Sequence, residues 1–352
     1  MRGMLLFFAL AVAAAGCDSS ALPSPPAEPV PRGDRVLALD VVEAVGEDFD
    51  GAVEIALDLG ARHGSLSQGW AGLETAPGQF RPEPNFLEIA NAYYPVKGVP
   101  IALTIASVDT NVDQRPDDLR DLDWDDPVLA ARYRGLLDWA VTQTRDLDVT
   151  HVVVGNEVDI FFGSDRDGLR DYRRFVTAVV DHARQLWPGA TVGTKVSYGG
   201  VTGPLASDVA ALQALGDAAL ITYYPLTDGF QVQRPQIVST HLRDMADRFP
   251  EVHLMEAGYP SSSATGGDED AQATFVRELF AAWDANATAI PYLSFSFLTD
   301  FSADALDGFE AYYGISDPAF IGYLASLGLR TSGGDEKAAF SAFEAAASSR
   351  GW

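Results

Sequence analysis

The sequence predicts an α/β protein, a single (β/α)8 barrel, on three observations. From Arg35 onward, short apolar runs alternate with longer amphipathic stretches. That is the pattern of parallel strands buried on both faces beneath helices. Eight such runs can be read, at 36–40, 63–67, 100–106, 151–157, 191–197, 219–224, 253–258 and 292–298. Polar and aromatic residues collect at the carboxyl ends of these runs, the rim on which barrels build their active sites. The alternative is an open doubly wound sheet, which usually carries a glycine-rich turn after its first strand. No such turn follows Asp40. No second linker interrupts residues 35–352, so they read as one domain of a size ordinary for a barrel.

The chain before the barrel reads differently. Arg2 precedes an apolar stretch from Leu5 to Ala15, and Ala14-Ala15-Gly16 leads to Cys17. This is the form of a secretory signal, too short to span a bilayer comfortably. The small residues before the cysteine resemble the bacterial lipoprotein cleavage box. The resemblance implies removal of residues 1–16 and a lipid on the Cys17 thiol. An ordinary signal peptide with an incidental cysteine is the plainer alternative. Residues 17–34 carry Pro23, Pro25, Pro26, Pro29 and Pro31, a composition that favours an extended tether. The expected location is outside the cytoplasm, held to a bacterial membrane on the periplasmic or outer-surface side.

Cys17 is the only cysteine, so no disulfide can form within one chain. The five histidines are scattered and show no metal-ligand spacing, so no metal is expected. The net charge of −26 argues against nucleic acid and anionic lipid headgroups as partners. The acidic excess fits a solvated surface, an adaptation to salt or a neutral substrate equally well.

Amphipathic stretches at 128–146, 169–186, 235–249 and 269–286 supply helices between the strands. Along the rim, the second strand runs into Trp70, and the third is followed by Asp109 and Thr110. The fourth ends at Asn156-Glu157 with Phe161 beyond, and the fifth is followed by Tyr198. The sixth ends in Tyr223-Tyr224, the seventh carries Glu256 and Tyr259, and the eighth carries Phe295 and Phe297. Each has a plainer explanation, since Tyr and Trp often cap a core and a post-strand Asp is often a helix N-cap.

Glu157 and Glu256 stand out. Each follows an apolar run, one on the fourth strand and one on the seventh. Their spacing matches three regular β-α units, so both should project from one rim. Two neighbouring rim carboxylates are what glycoside hydrolysis needs: one protonates the leaving oxygen, the other attacks the anomeric carbon. A buried ion pair with an arginine such as Arg62 would explain either glutamate alone.

Gly155-Asn156-Glu157-Val158 resembles the acid/base motif on the fourth strand of the clan A retaining glycoside hydrolases. Met255-Glu256-Ala257-Gly258-Tyr259-Pro260-Ser261 resembles their nucleophile motif on the seventh. Ile221-Thr222-Tyr223-Tyr224-Pro225 with the Glu256 motif is most similar to family 53, the endo-β-1,4-galactanases. Family 17, the β-1,3-glucanases, is a second resemblance. It implies that Glu157 is the acid/base, that Glu256 is the nucleophile, that Asn156 binds a sugar 2-hydroxyl and that Tyr223 contacts the nucleophile. Two departures are visible. Gly64-Ser65-Leu66-Ser67 lacks the arginine that many members carry late on the second strand. The eighth strand lacks their tryptophan, leaving Phe295 or Phe297.

The expectation is therefore a monomeric, lipid-anchored retaining β-glycosidase without cofactor, acting on a polysaccharide or oligosaccharide. Trp70, Tyr198, Tyr224, Phe161, Tyr259 and Phe297 are the candidate sugar-binding walls. The alternative is a noncatalytic sugar-binding surface lipoprotein on the same barrel.

Overall fold

A computed structural model of the chain describes residues 28–352. Residues 1–27, which hold the expected signal sequence, Cys17 and the first part of the expected tether, lie outside the described residues. Eight parallel strands form the barrel: β1 (Val36–Asp40), β2 (Gly64–Gly69), β3 (Ile101–Ala106), β4 (Val149–Val153), β5 (Thr191–Gly193 and Lys195–Ser197), β6 (Ala219–Tyr223), β7 (Val252–Ala257) and β8 (Tyr292–Ser296). Strand pairing runs β1-β8-β7-β6-β5 and β5-β4-β3-β2. The two halves share β5, which breaks at Thr194, where Val154 N–H donates to Gly193 and Lys195 N–H to Gly155. A single parallel bridge, Ala38 to His63, joins β1 to β2.

The outer ring is α1 (Phe49–Asp58), α2 (Phe86–Lys97), α3 (Pro127–Gln143), α4 (Arg166–Leu186), α5 (Ala206–Gln213), α6 (Val238–Arg248), α7 (Glu269–Ala285) and α8 (Ala338–Ser348). Aspartates 48, 126, 165 and 268 cap four of these by accepting a first-turn N–H. Part of the acidic excess is thus helix-capping chemistry. In α4, Leu169, Tyr172, Val176, Val179 and Ala183 recur at three- and four-residue spacing, and all are buried. That stripe is why α4 lies on the sheet. Residues 28–34 are exposed, but the Val30 carbonyl accepts from Arg35 at 2.7 Å and Arg32 N–H donates to the Arg350 carbonyl at 2.8 Å. Arg35 donates to Asp284 at 2.9 Å and lies 4.6 Å over Trp283, and Asp284 also accepts from Arg350.

Three of the five histidines, scattered in sequence, meet in the barrel floor. His151 Nε2 lies 2.7 Å from His253 Nδ1, and Thr150 Oγ1 joins His63 (2.6 Å) to His151 (2.9 Å). Burial pushes His63 down to about 4 and His151 down to about 2. Both rings are therefore neutral at pH 7 and serve as hydrogen-bonded packing. Above this floor, Ala38, Ala102, Val153, Leu220 and Met255 form an apolar layer. The ionisable groups of the rim sit on top of it.

Candidate active site

Two local irregularities aim the glutamates. Strict alternation would send Glu256 outward, because His253 and Met255 already face the lumen. The β6–β7 register shifts between Ile221 and Thr222, so Leu254 pairs with Ile221 and Glu256 with Thr222. The β7–β8 register shifts over the same stretch. This bulge turns Met255 and Glu256 inward in succession, a device found where a strand must re-aim a side chain. Glu157 stands just beyond β4 with φ of 46°. A non-glycine residue in the left-handed region is uncommon and is held there by its surroundings. Here the turn opens the short helix Val158–Phe162 and lays the carboxyl over the mouth.

The two carboxyls share a neighbour. Thr222, paired in register with Glu256, donates its hydroxyl to Glu157 Oε1 at 2.6 Å, and Thr110 donates to Oε2 at 2.9 Å. Glu256 accepts from Lys195 Nζ at 2.7 Å and from the Tyr224 hydroxyl at 3.0 Å. Burial, and then the charge of Glu256, pushes Glu157 up to about 7. Asp40 accepts from Ser65 at 2.6 Å and from Ser296 at 3.1 Å, and burial pushes it up to about 6. For Lys195, burial works against the charge, but Glu256, Asp40 and Asp109 outweigh it and raise the ammonium above its ordinary range. The site thus has a proton-holding carboxyl at Glu157 and a carboxylate at Glu256 that faces a cation.

The structure brings together Asn156, Glu157, Tyr224 and Glu256. Asn156 Nδ2 donates to Asp109 at 2.7 Å, while its Oδ1 is buried with no partner among the described residues. Four other expectations need correction. Tyr223 does not touch Glu256: it is fully buried on the helix side, its hydroxyl 3.1 Å from His241. Trp70 is a core residue, donating to Glu74 at 2.7 Å and packed edge-on to Tyr133. Tyr259 is 1 % exposed and donates to the Gln233 carbonyl. Tyr198 stacks on His241 at 4.4 Å and donates to Asp244, outside the lumen.

Of the phenylalanines, Phe295 packs outward against Phe343. Phe161 is half-buried beside Trp124, and Phe297 is half-buried against Phe301. Phe297, Asp40 and Ser65 also line a cavity of about 590 Å3 that runs between α1 and α2, where only one bridge joins β1 to β2.

Sequence reasoning missed Lys195 and the role of Tyr224, though both left signals. Leu220, Thr222 and Tyr224 share one face by simple alternation. A lone lysine inside the apolar fifth strand of a chain with three lysines must be paired if buried.

No protein-family profile matches the chain, and no curated protein sequence matches it. Solved structures do. An exo-β-1,4-mannosidase from an Opitutaceae bacterium, strain TAV5, aligns with TM-score 0.69 at 15% identity, over 89% of this chain and 59% of its own. The chain therefore spans well under two thirds of that mannosidase. The family 53 glycoside hydrolase catalytic domain of Ignisphaera aggregans aligns with TM-score 0.63 at 14% identity, over 91% and 98%. Xylanase 10B of Thermotoga maritima gives 0.63 at 14%, over 90% and 96%. The fold is that of the TIM-barrel glycoside hydrolases. At these identities the likeness fixes the barrel and its strand order, and the chemistry rests on the residues above.

Proposed function

We propose that this barrel is a retaining glycoside hydrolase that cleaves β-linked sugars by double displacement. Glu157 is the general acid/base and Glu256 the nucleophile. The observation that carries the reading is the asymmetry between two carboxyls that share Thr222. One holds a proton near neutrality through burial and a like charge, and the other faces Lys195 and Tyr224. Environments that push two carboxyls apart in this way assign the acid and the base. The unpartnered Asn156 Oδ1 is an acceptor for a sugar hydroxyl. Lys195 on β5 supplies the cation that an arginine on β2 would have supplied. Phe297 is the remaining aromatic platform after β8.

A hydrolysis screen over β-galactans, β-1,3-glucans, mannans, xylans and aryl β-glycosides tests this. Turnover with retained anomeric configuration by NMR is expected. Glu256→Gln should nearly abolish it, and azide should partly restore Glu157→Gln on an activated aryl glycoside. Binding without turnover across the panel would instead favour a sugar-binding protein.

The same reading places the enzyme on a membrane through Cys17, supported by Ala14-Ala15-Gly16-Cys17 and the proline-rich stretch that follows. Cys17→Ala should lose acyl labelling and membrane retention while keeping its activity. Continued labelling would remove the lipoprotein assignment.

A further inference from the structure

We propose that Asp109 and Tyr312 are positioning residues that turn the Asn156 amide so that its oxygen meets the substrate, which makes one sugar hydroxyl obligatory as a hydrogen-bond donor. This rests on the glycosidase reading and adds to it which atom of Asn156 is presented and what holds it there.

The loop after β3 runs against the end of β4. Asn156 N–H donates to the Val108 carbonyl at 2.9 Å, and the Asn156 carbonyl accepts from Thr110 N–H at 3.0 Å. This pairing lays Asp109 opposite Asn156. It also brings Thr110 to Glu157, whose Oε2 accepts from the threonine hydroxyl at 2.9 Å. Thr110 has a φ of 53° and Glu157 one of 46°. Two non-glycine residues in the left-handed region, in contact with each other, mark backbone imposed by its surroundings.

Two donors meet on the Asp109 carboxylate. Asn156 Nδ2 donates to Oδ1 at 2.7 Å, and the Tyr312 hydroxyl donates to Oδ2 at 2.6 Å. A carboxylate offers no proton, so only the nitrogen end of the amide can face it. The reverse orientation would set the amide oxygen against a charged oxygen. Asn156 Oδ1 is the end left over, buried without a partner among the described residues. A buried acceptor in that state costs free energy until a donor reaches it, and a sugar hydroxyl can supply one.

Tyr312 comes from a distant part of the chain. It lies on the helix Ala303–Tyr313, within the long connection between β8 and α8. Its hydroxyl accepts from Gln114 Nε2 at 2.6 Å, so its own proton is directed at Asp109. Burial, and then the charge of Asp109, push the phenol above its ordinary range, so it keeps that proton. Asn111 Nδ2 donates to the Tyr313 carbonyl at 2.8 Å, a second tie between the same helix and the same loop. Gln114 fits because β2 ends in glycine: a Cβ at Gly69 would collide with its amide oxygen.

The test uses the full chain and the sugar that the hydrolysis screen identifies. Its monodeoxy and deoxyfluoro analogues are measured as competitive inhibitors of aryl glycoside hydrolysis. Fluorine can accept a hydrogen bond but cannot donate one. At one ring position both analogues should bind about tenfold or more weakly than the parent sugar in the wild type, because a site built around a hydroxyl rejects its absence. In Tyr312→Phe and Asp109→Ala that penalty should shrink by about threefold or more at the same position and at no other, since the parent loses affinity while the analogues do not. Tyr312→Phe removes one oxygen from a ring that is 41% exposed, so the fold should survive. Where Asp109→Ala departs from the wild-type circular dichroism, Tyr312→Phe decides alone. An unchanged penalty, or an equal weakening of all the analogues, would overturn the positioning role. Deoxyfluoro sugars that bind like the parent at every position would show that no donor is required, and would overturn it too. In each of these cases turnover by the wild type leaves the glycosidase reading intact, whereas no cleavage of any panel member would sink that reading and this one with it.

Discussion

Glu157→Gln should make the protein inactive on natural glycans and more stable, with a gain that depends on pH. The glutamate lies in a buried site beside Glu256 and is pushed up to about 7 from an unfolded value near 4.5. Below about pH 4.5 the carboxyl is neutral in both states, and folding costs nothing in proton affinity. As pH rises from there to about 7, the unfolded chain gives up its proton first. Stability is lost progressively over that window and stays lost above it. A difference of about 2.5 units at about 1.4 kcal/mol each is roughly 3 kcal/mol, an upper bound for a site that can relax. Gln is close in shape and carries no charge, and the Thr110 and Thr222 hydroxyls can rotate to meet its amide.

The variant should therefore match wild type at pH 4.5 and exceed it by about 2–3 kcal/mol at pH 8. An unfolding entropy near 0.7 kcal/mol/K for a domain of this size turns that into roughly 3–4 °C in Tm. Thermal unfolding at the two pH values, at one scan rate, measures it. A gain of equal size at both pH values, or a loss at pH 8, would refute the claim that Glu157 stores a proton at the expense of the fold.

Three other outcomes follow from the same contacts. The alkaline limb of kcat/KM should fall near pH 7, because the acid must hold its proton before attack, and it should vanish for an aryl glycoside whose leaving group needs none. Lys195→Met should lower kcat/KM by at least 100-fold, since Glu256 loses its cation at 2.7 Å; an unchanged kcat/KM in the folded variant would show that the pair is inert. Tyr224→Phe should cost about tenfold in kcat through one lost hydrogen bond of ~1–2 kcal/mol, while Tyr223→Phe should leave kinetics unchanged, and the reverse ranking would contradict the placement of the two rings.

The barrel was legible because its signals are local and repeated. Each strand is a short apolar run, and α4 shows its buried stripe in plain spacing. The two glutamates were legible because a carboxylate at the end of an apolar strand has few structural reasons to be there. Their orientation was not. Glu256 faces the lumen through a bulge, and a bulge is a pairing between β6, β7 and β8 that no single segment encodes. The aromatic residues divide by the same logic. Tyr223 and Tyr224 are adjacent, and a one-residue step changes the face of the sheet, so naming the first as the Glu256 contact inverted the inside and the outside. Trp70 and Tyr259 followed the plainer rule that large rings fill cores, with their polar tips paired to Glu74 and to the Gln233 carbonyl. The contacts of the long connection after β8, Tyr312 to Asp109 above all, join residues 203 positions apart and leave no mark in either segment.

The missing arginine and the raised proton affinity of Glu157 belong to one balance of charge. Asp40, Asp109, Glu157 and Glu256 meet at the rim, and Lys195 is the cation among them. Four carboxyls facing one ammonium cannot all ionise in a site with little water, so protons stay where solvation is poorest. Asp40 and Glu157 are those positions, raised to about 6 and about 7. A second cation late on β2, where Ser65 and Ser67 stand, would draw the nearer carboxyls downward. Supplying the cation from β5 places it on Glu256, 2.7 Å away, while Glu157 is met only by neutral hydroxyls. The departure on β2 is therefore compatible with an active acid/base pair, because the difference between the two carboxyls, rather than the number of cations, lets one give a proton while the other attacks.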